Sequence, residues 1–214
     1  MKNEREILTV AVTGGPCGGK STALSRIREF GELAGFGVVV IPETATELIG
    51  AGISPQSLDS NEAYQRCQMK LQLEKERIYL EGAARLANAH RVLVVCDRGL
   101  LDNRAYMTEE EFERVLALLG IGREQALSRY DAVFHLVSAA KGAQAFYTLD
   151  NNGARTEGLS RAAELDDALL AAWSGHPYHR VIDNSTDFAG KMDRLLMHIS
   201  AFLEWRLDVH DAED

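Results

Sequence analysis

A glycine-rich segment near the start of the chain carries the strongest chemical signal in the sequence. Residues 14–21 read Gly-Gly-Pro-Cys-Gly-Gly-Lys-Ser and match the pattern G-x-x-x-x-G-K-S. Glycines let the backbone curl so that N–H groups point at phosphate oxygens, and the N-terminus of a following helix adds a favourable dipole. In this pattern the lysine reaches the β- and γ-phosphates, and the serine hydroxyl joins the Mg²⁺ shell. The segment predicts a site for ATP or GTP with Mg²⁺, formed by Gly14, Gly15, Pro16, Cys17, Gly18, Gly19, Lys20, Ser21 and Thr22.

Cys17 lies inside this phosphate-binding loop. The favoured interpretation is a small residue that fits the turn. The alternative is that neighbouring backbone N–H groups make its thiol oxidisable, so that oxidation would block the nucleotide site.

Two carboxylates directly follow apolar runs that are typical of buried strands. Asp97 could hold the Mg²⁺ shell, with a simple strand-end cap as the alternative, and Arg98 beside it could pair with phosphate. Glu43 could accept the proton of an attacking hydroxyl as a catalytic base. Its alternative role is electrostatic, because a helix over 44–49 would favour a carboxylate at its N-terminus.

Further polar residues could complete such a site. Arg155, Arg161 and Lys141 lie in a segment that is otherwise rich in Ala, Gly and Asn. Arginines suit bidentate phosphate contact and charge stabilisation during catalysis, although a solvated helix face is an equal alternative. Asn184 could line a base pocket or cap the closing helix. Three aromatic residues could stack on an acceptor base, although core packing is the favoured interpretation: Tyr106, Tyr147 and Trp173.

Hydrophobic periodicity predicts strands alternating with helices. The predicted strands cover 7–13, 36–41, 91–97, 131–137 and 180–183. The predicted helices cover 20–33, 44–49, 60–89, 109–119, 123–129, 162–173 and 188–207. This alternation favours a mainly parallel sheet covered on both faces, in an α/β fold with the nucleotide site at the carboxyl ends of the strands. We expect a single domain over 1–207, followed by an acidic tail over 208–214 that frays.

Composition narrows the classes of function. The formal net charge of -9 makes nucleic acid a poor partner, because a duplex-binding domain normally shows a basic face. No apolar stretch has the length of a membrane span or the pattern of a signal peptide. Three widely spaced cysteines without metal-ligand spacing favour a reducing, cytoplasmic compartment.

Several segments together resemble a known group over most of the chain. The group is the small AAA-labelled, kinase-like P-loop family, which includes the animal TRPL-translocation-defect protein. It is similar to the ribosylnicotinamide-kinase half of the bacterial NAD regulator. The segments that carry the resemblance are 14–22, Pro42-Glu43-Thr44-Ala45, 97–103, 129–133, 151–157 and Ile182-Asp183-Asn184.

This resemblance implies the fold and the chemistry more closely. It implies a three-layer P-loop NTPase fold with a five-stranded parallel sheet in the order 2-3-1-4-5, as in nucleoside kinases. Glu43 and Asp97-Arg98 look like the base-bearing Glu and the acidic-Arg motif of deoxynucleoside kinases, and 155–161 looks like their arginine-bearing lid. The first hypothesis is therefore a kinase that transfers phosphoryl from ATP to a hydroxyl of a small nucleoside-like acceptor. The second is a nucleotide-dependent switch or NTPase that acts through a protein or phospholipid partner.

Overall fold

Five parallel strands form one sheet at the centre of the molecule. The structure is a computed structural model, and it describes residues 5–144 and 155–211. The strands are β1 (Glu6–Thr13), β2 (Gly37–Ile41), β3 (Arg91–Asp97), β4 (Ala132–Leu136) and β5 (His179–Ile182). They lie in the order β2-β3-β1-β4-β5, and every neighbouring pair is parallel. The α/β fold and the strand order predicted from the sequence are therefore confirmed.

Helices cover both faces of this sheet. They are α1 (Lys20–Leu33), α2 (Thr44–Gly50), α3 (Asn61–Ala83), α4 (Glu109–Leu119), α5 (Arg123–Leu127), α6 (Arg155–Ala172) and α7 (Phe188–Asp211). A 3₁₀ helix spans Leu100–Tyr106. One apolar core joins the sheet to residues of α1 and α7, and the other joins it to residues of α3, α4 and the 3₁₀ helix. This double coverage explains why the strand sequences are almost continuously apolar.

Several boundaries differ from the sequence predictions. Helix α3 ends at Ala83 and not at 89, and the chain turns there through Ala84. The 3₁₀ helix was not predicted, and α6 begins at Arg155 where a start at 162 was expected. Helix α7 continues to Asp211, beyond the predicted end at 207 and into the acidic segment that was expected to fray.

The parallel arrangement gathers the functional segments at one edge of the sheet. The phosphate-binding loop follows β1, Glu43 follows β2, and Asp97-Arg98 closes β3. Because the carboxyl ends of parallel strands meet at the same edge, residues distant in sequence come together there.

Candidate functional site

The phosphate-binding loop is fixed by the close approach of β4. A Cβ at Gly14 would lie 2.1 Å from the carbonyl oxygen of Leu136, and one at Gly18 would lie 2.6 Å from the same atom. Gly14 also has φ of +134°, a conformation that side chains disfavour. Cys17 is exposed and has φ of 55°. The glycine spacing thus reflects steric limits, and the loop leads into α1 at Lys20 as the sequence predicts.

Lys20 is folded back onto this loop. Its Nζ donates to the carbonyl oxygens of Gly14 at 2.8 Å and Gly15 at 3.0 Å. Burial and the neighbouring charge of Arg98 lower the pKa of Lys20 to about 8. The ammonium is thus held inside the loop, where phosphate oxygens could replace the carbonyls.

Glu43 and Arg98 meet beside the loop. Arg98 Nε donates to a carboxylate oxygen of Glu43, and its Nη1 lies 3.4 Å from the Gly14 carbonyl oxygen. The other Glu43 oxygen accepts from the Thr46 hydroxyl at 2.6 Å. Burial raises the pKa of Glu43, but Arg98 and Thr46 outweigh it, and the net pKa lies below the ordinary value. Glu43 directly precedes α2 and makes no side-chain bond to the N–H groups of that helix. Its side chain instead contacts Arg98 and the Thr46 hydroxyl in the first turn of α2.

Asp97 offers an oxygen that suits a cation. Its Oδ1 is buried and has no hydrogen-bond partner among the described residues. Burial and the nearby charge of Glu43 raise the pKa of Asp97. A buried, unpaired carboxylate oxygen is costly unless a ligand completes it. Asp97 therefore fits the predicted role at a Mg²⁺ ion. Ser21, the other residue predicted to bind this ion, is exposed in the first turn of α1.

A cavity of about 620 Å³ adjoins the Glu43–Arg98 pair. Tyr64 and Gln65 are among its lining residues, and the Tyr64 hydroxyl and Gln65 Oε1 are buried without a hydrogen-bond partner among the described residues. Tyr106 also lines it, as one of the three aromatic residues considered from the sequence. The other lining residues are Ala45, Ile49, Pro55, Asn61, Gln68, Asp102, Ala105, Met107, Thr108, Glu111 and Arg161.

Asp166 of α6 ties that helix to the phosphate-binding loop. Its Oδ1 accepts from the backbone N–H groups of Gly15 at 2.9 Å and Ser138 at 3.0 Å. His135 Nε2 lies 3.1 Å from the same oxygen. Burial opposes ionisation of Asp166, but His135 and the two N–H groups outweigh it and lower the pKa to about 2. The helix and the loop therefore share one buried carboxylate.

These features agree with a comparison against protein families. The family model described as "AAA domain" matches residues 9–191. The chain belongs to the AAA domain family. A comparison with curated proteins found no match. The kinase-like relatives inferred from individual motifs are a finer statement than this family match, and they stay a prediction.

The AAA domain contains two site residues that the sequence analysis missed. Asp102 is buried, accepts from the Thr13 hydroxyl at 2.8 Å and from Trp173 Nε1 at 2.6 Å, and lies 3.4 Å from Arg98 Nη1. Its position four residues after Arg98, in the same polar segment that follows β3, was an available signal. Asp166 carried no such signal, because its partners lie far away in the sequence.

Of the other basic and aromatic residues predicted from the sequence, some line the cavity and others lie away from it. Arg161 lies on the cavity wall and pairs with Glu164 at 3.2 Å, whereas the side chain of Arg155 is outside the described part of the structure. Lys141 lies 3.2 Å from Asp166, away from the cavity wall. Trp173 is fully buried in the core, as favoured, and Tyr147 lies outside the described residues.

Asn184 is committed to the fold of the AAA domain. Its amide donates to the carbonyl oxygens of Ser138 at 2.8 Å and Lys141 at 2.7 Å, and its Oδ1 accepts from Lys191 at 2.8 Å. It therefore fixes the turn after β4, and α7 begins four residues later at Phe188. No helix of the described residues is long and apolar enough to cross a membrane.

Proposed function

We propose that this AAA domain transfers the γ-phosphoryl group of ATP to a hydroxyl of a small nucleoside-like acceptor. The observation that carries the proposal is the cavity beside the phosphate-binding loop, whose wall includes Glu43 and Arg98. An NTPase that uses water as its only acceptor needs no such compartment. A cavity that combines apolar side chains with polar and charged ones is typical of a small-molecule site.

The nucleotide would bind along the loop from Gly14 to Thr22. Lys20 would exchange its carbonyl contacts for phosphate oxygens, and Arg98 would stabilise the charge of the transferring group. Mg²⁺, when bound, would neutralise the phosphates, with Ser21 and Asp97 as its protein ligands. No group of three or more His, Cys, Asp or Glu side chains in the described part of the chain is arranged to hold a metal ion. We therefore expect the ion to arrive with the nucleotide.

Glu43 would serve as the catalytic base. The pKa of Glu43 lies below its ordinary value, so the carboxylate is ionised at neutral pH and free of a proton, as a base must be. It contacts Arg98 on one side and faces the cavity on the other. The acceptor would occupy the cavity with its ring system near Tyr106 and its polar groups at Tyr64 and Gln65. Arg161, and Arg155 at the start of α6, would close over the phosphates.

The decisive measurement is ADP release from Mg²⁺-ATP with a panel of nucleosides, ribosylnicotinamide and small alcohols, each against a control without acceptor. We expect turnover to depend on the acceptor. The substitution Glu43→Gln should lower kcat by about 10²- to 10⁴-fold, because it removes the proton acceptor. ATP affinity should change little, since the amide oxygen of Gln can still accept the hydrogen bond from Arg98. Glu74→Gln is the matched control, since Glu74 is exposed on α3 and pairs with Arg77. Full transfer by Glu43→Gln would exclude Glu43 as the base.

A second candidate, a nucleotide-dependent switch, is favoured by the Asp166–Gly15 bond. Through this bond, a change in the loop on hydrolysis would reach α6 directly. The switch predicts tight binding of ATP or GTP with slow hydrolysis that no acceptor accelerates. The same panel of acceptors therefore separates the two functions.

A further inference from the structure

We propose that one face of α3 sets the geometry of the Glu43–Arg98 pair by holding the backbone on both sides of it. The residues are Gln72, Lys75 and Glu76, which we call the α3 clamp. They would be positioning residues for phosphoryl transfer, and this part of the inference rests on the proposed function. Their spacing of three and four residues places them on one side of the helix.

The first arm of the clamp is Lys75. This lysine is buried, and its Nζ donates to the Pro42 carbonyl oxygen at 2.8 Å and lies 2.8 Å from Glu47 Oε1. Pro42 immediately precedes Glu43, and Glu47 lies in α2, the helix that follows Glu43. Lys75 therefore fixes the chain both before and after the predicted base.

The second arm reaches the turn that carries Arg98. Gln72 Nε2 donates to the Arg98 carbonyl oxygen at 3.3 Å. Glu76 Oε1 accepts from the Tyr130 hydroxyl at 2.6 Å, and that hydroxyl accepts from the Leu100 backbone N–H at 2.7 Å. The backbone is thus held at Arg98 and again two residues later.

This turn needs external support. Arg98 has φ of 72°, which is uncommon for a residue with a side chain and persists where the surroundings enforce it. Gly99 is confined as well, because a Cβ there would lie 2.4 Å from Trp173. In this conformation the Arg98 guanidinium contacts Glu43 and lies 3.4 Å from the Gly14 carbonyl oxygen of the phosphate-binding loop. Loss of the hydrogen bonds around the turn would therefore move the Arg98 side chain.

The buried charges of the α3 clamp indicate that it serves to fix the position of the Glu43–Arg98 pair. Glu76 is 2% exposed and Lys75 is 8% exposed, and burying such groups is costly. Apolar residues of similar volume often provide equal stability at such positions. Glu76 is paired with Arg129 at 2.6 Å, so its charge is compensated while its other oxygen remains directed at Tyr130. Directional bonds to backbone atoms are what apolar residues could not supply.

A double-mutant cycle tests the second arm. Tyr130→Phe keeps the ring and removes the hydroxyl between Glu76 and Leu100. We expect it to lower kcat of acceptor-dependent transfer by about ten-fold with unchanged ATP affinity, because misplaced catalytic groups slow the chemical step. In an Arg98→Lys background the same change should lower kcat less than about two-fold, since Tyr130 acts through Arg98. Tyr79→Phe is the control, because Tyr79 is a partly buried tyrosine of α3, and it should lower kcat in neither background.

Equal losses of kcat in both backgrounds, or no loss in a folded Tyr130→Phe variant, would overturn the proposal. If Tyr130→Phe does not fold, Lys75→Met tests the first arm in its place, with Glu43→Asp as the second background. Lys70→Met is its control, because Lys70 is exposed on the same helix, α3. The same non-additivity is then expected, and additive losses would count against the clamp.

Amide hydrogen exchange separates failure of the clamp from failure of the proposed function. Exchange at the Leu100 N–H should accelerate at least about ten-fold in Tyr130→Phe, because this variant removes the hydroxyl that accepts from the Leu100 N–H. The exchange rate should stay unchanged in Tyr79→Phe, which keeps that hydroxyl. If the wild-type protein transfers no phosphoryl group, the kinase proposal fails, and Leu100 exchange alone decides whether the clamp exists. Unchanged protection of Leu100 in Tyr130→Phe would then overturn it.

Discussion

Lys20 illustrates how a single residue can be prepared for its ligand. Its ammonium is partly buried and donates to two carbonyl oxygens of the loop in which phosphate would bind. Carbonyl oxygens carry partial charge only, so they compensate an ammonium less well than phosphate does. This is why burial can lower the pKa of Lys20 to about 8 in the nucleotide-free protein.

The affinity for ATP should therefore depend on pH. Phosphate charges favour the ammonium and raise its pKa in the complex, so that above pH 8, near the pKa of free Lys20, binding takes up a proton. Proton uptake weakens binding as pH rises, by up to about ten-fold per pH unit above that point, and affinity should be level below it. Calorimetric titrations between about pH 7 and pH 9.5 measure this slope. Lys20→Arg is the control, because a guanidinium stays charged throughout this range. A flat profile for wild type would contradict the lowered pKa.

Individual site residues were predictable from the sequence when a local pattern fixed them. The loop glycines and Lys20 belong to one continuous motif, and Arg98 follows directly on a recognisable strand. Asp102, Asp166 and Tyr130 were not found, because most of their partners lie tens of residues away in the sequence and come together only through the order of the strands. One sequence shows which groups are polar, but it does not show which of them meet.

At the scale of the element, α6 is joined to the loop by a buried anion. Asp166 is fully buried, and its oxygen serves two backbone N–H groups from different segments. Its low pKa means that it stays ionised under all ordinary conditions. The start of this helix was predicted seven residues late, because the apolar spacing is weak between Arg155 and Ala162.

Removal of this anion should destabilise the protein. Asp166→Ala leaves the N–H groups of Gly15 and Ser138 buried without an acceptor, and we expect the free energy of unfolding to fall by about 3 kcal/mol. Asp167→Ala is the matched control, because the neighbouring side chain is 69% exposed and should contribute less than about 0.5 kcal/mol. Urea unfolding of both variants measures the difference. Similar losses in the two variants would show that the buried carboxylate does not hold the helix to the loop.

At the scale of the whole molecule, the parallel sheet determines which segments can cooperate. The strand order places β1 between β3 and β4, so the loop after β1 is flanked by Asp97-Arg98 on one side and by the turn at Ser138 on the other. The order was predictable only through the resemblance to nucleoside kinases. Hydrophobic periodicity alone shows that the strands are buried, and not which of them are neighbours.

The three cysteines allow nucleotide binding and global stability to be read in one experiment. Cys17 is exposed in the phosphate-binding loop, Cys67 is exposed on α3, and Cys96 is buried in β3. An alkylating reagent should modify the first two in the native protein, and Cys96 only when the core opens. Mg²⁺-ATP should protect Cys17 and leave Cys67 unchanged, because only the former lies where phosphate would bind.

The same labelling tests how far binding stabilises the whole fold. At a ligand concentration of about 100 times Kd, binding to the native state alone adds about 2.7 kcal/mol, so Cys96 should react about 100-fold more slowly. The rates are followed by mass spectrometry of peptides containing each cysteine. Protection of Cys17 with an unchanged alkylation rate of Cys96 would have two possible meanings. Either the nucleotide only blocks access of the reagent to the loop, or the core opens while the nucleotide stays bound. A slower alkylation of Cys96 without protection of Cys17 would place the nucleotide away from the loop. Only both effects together would show that the nucleotide binds at the loop and that this binding stabilises the sheet.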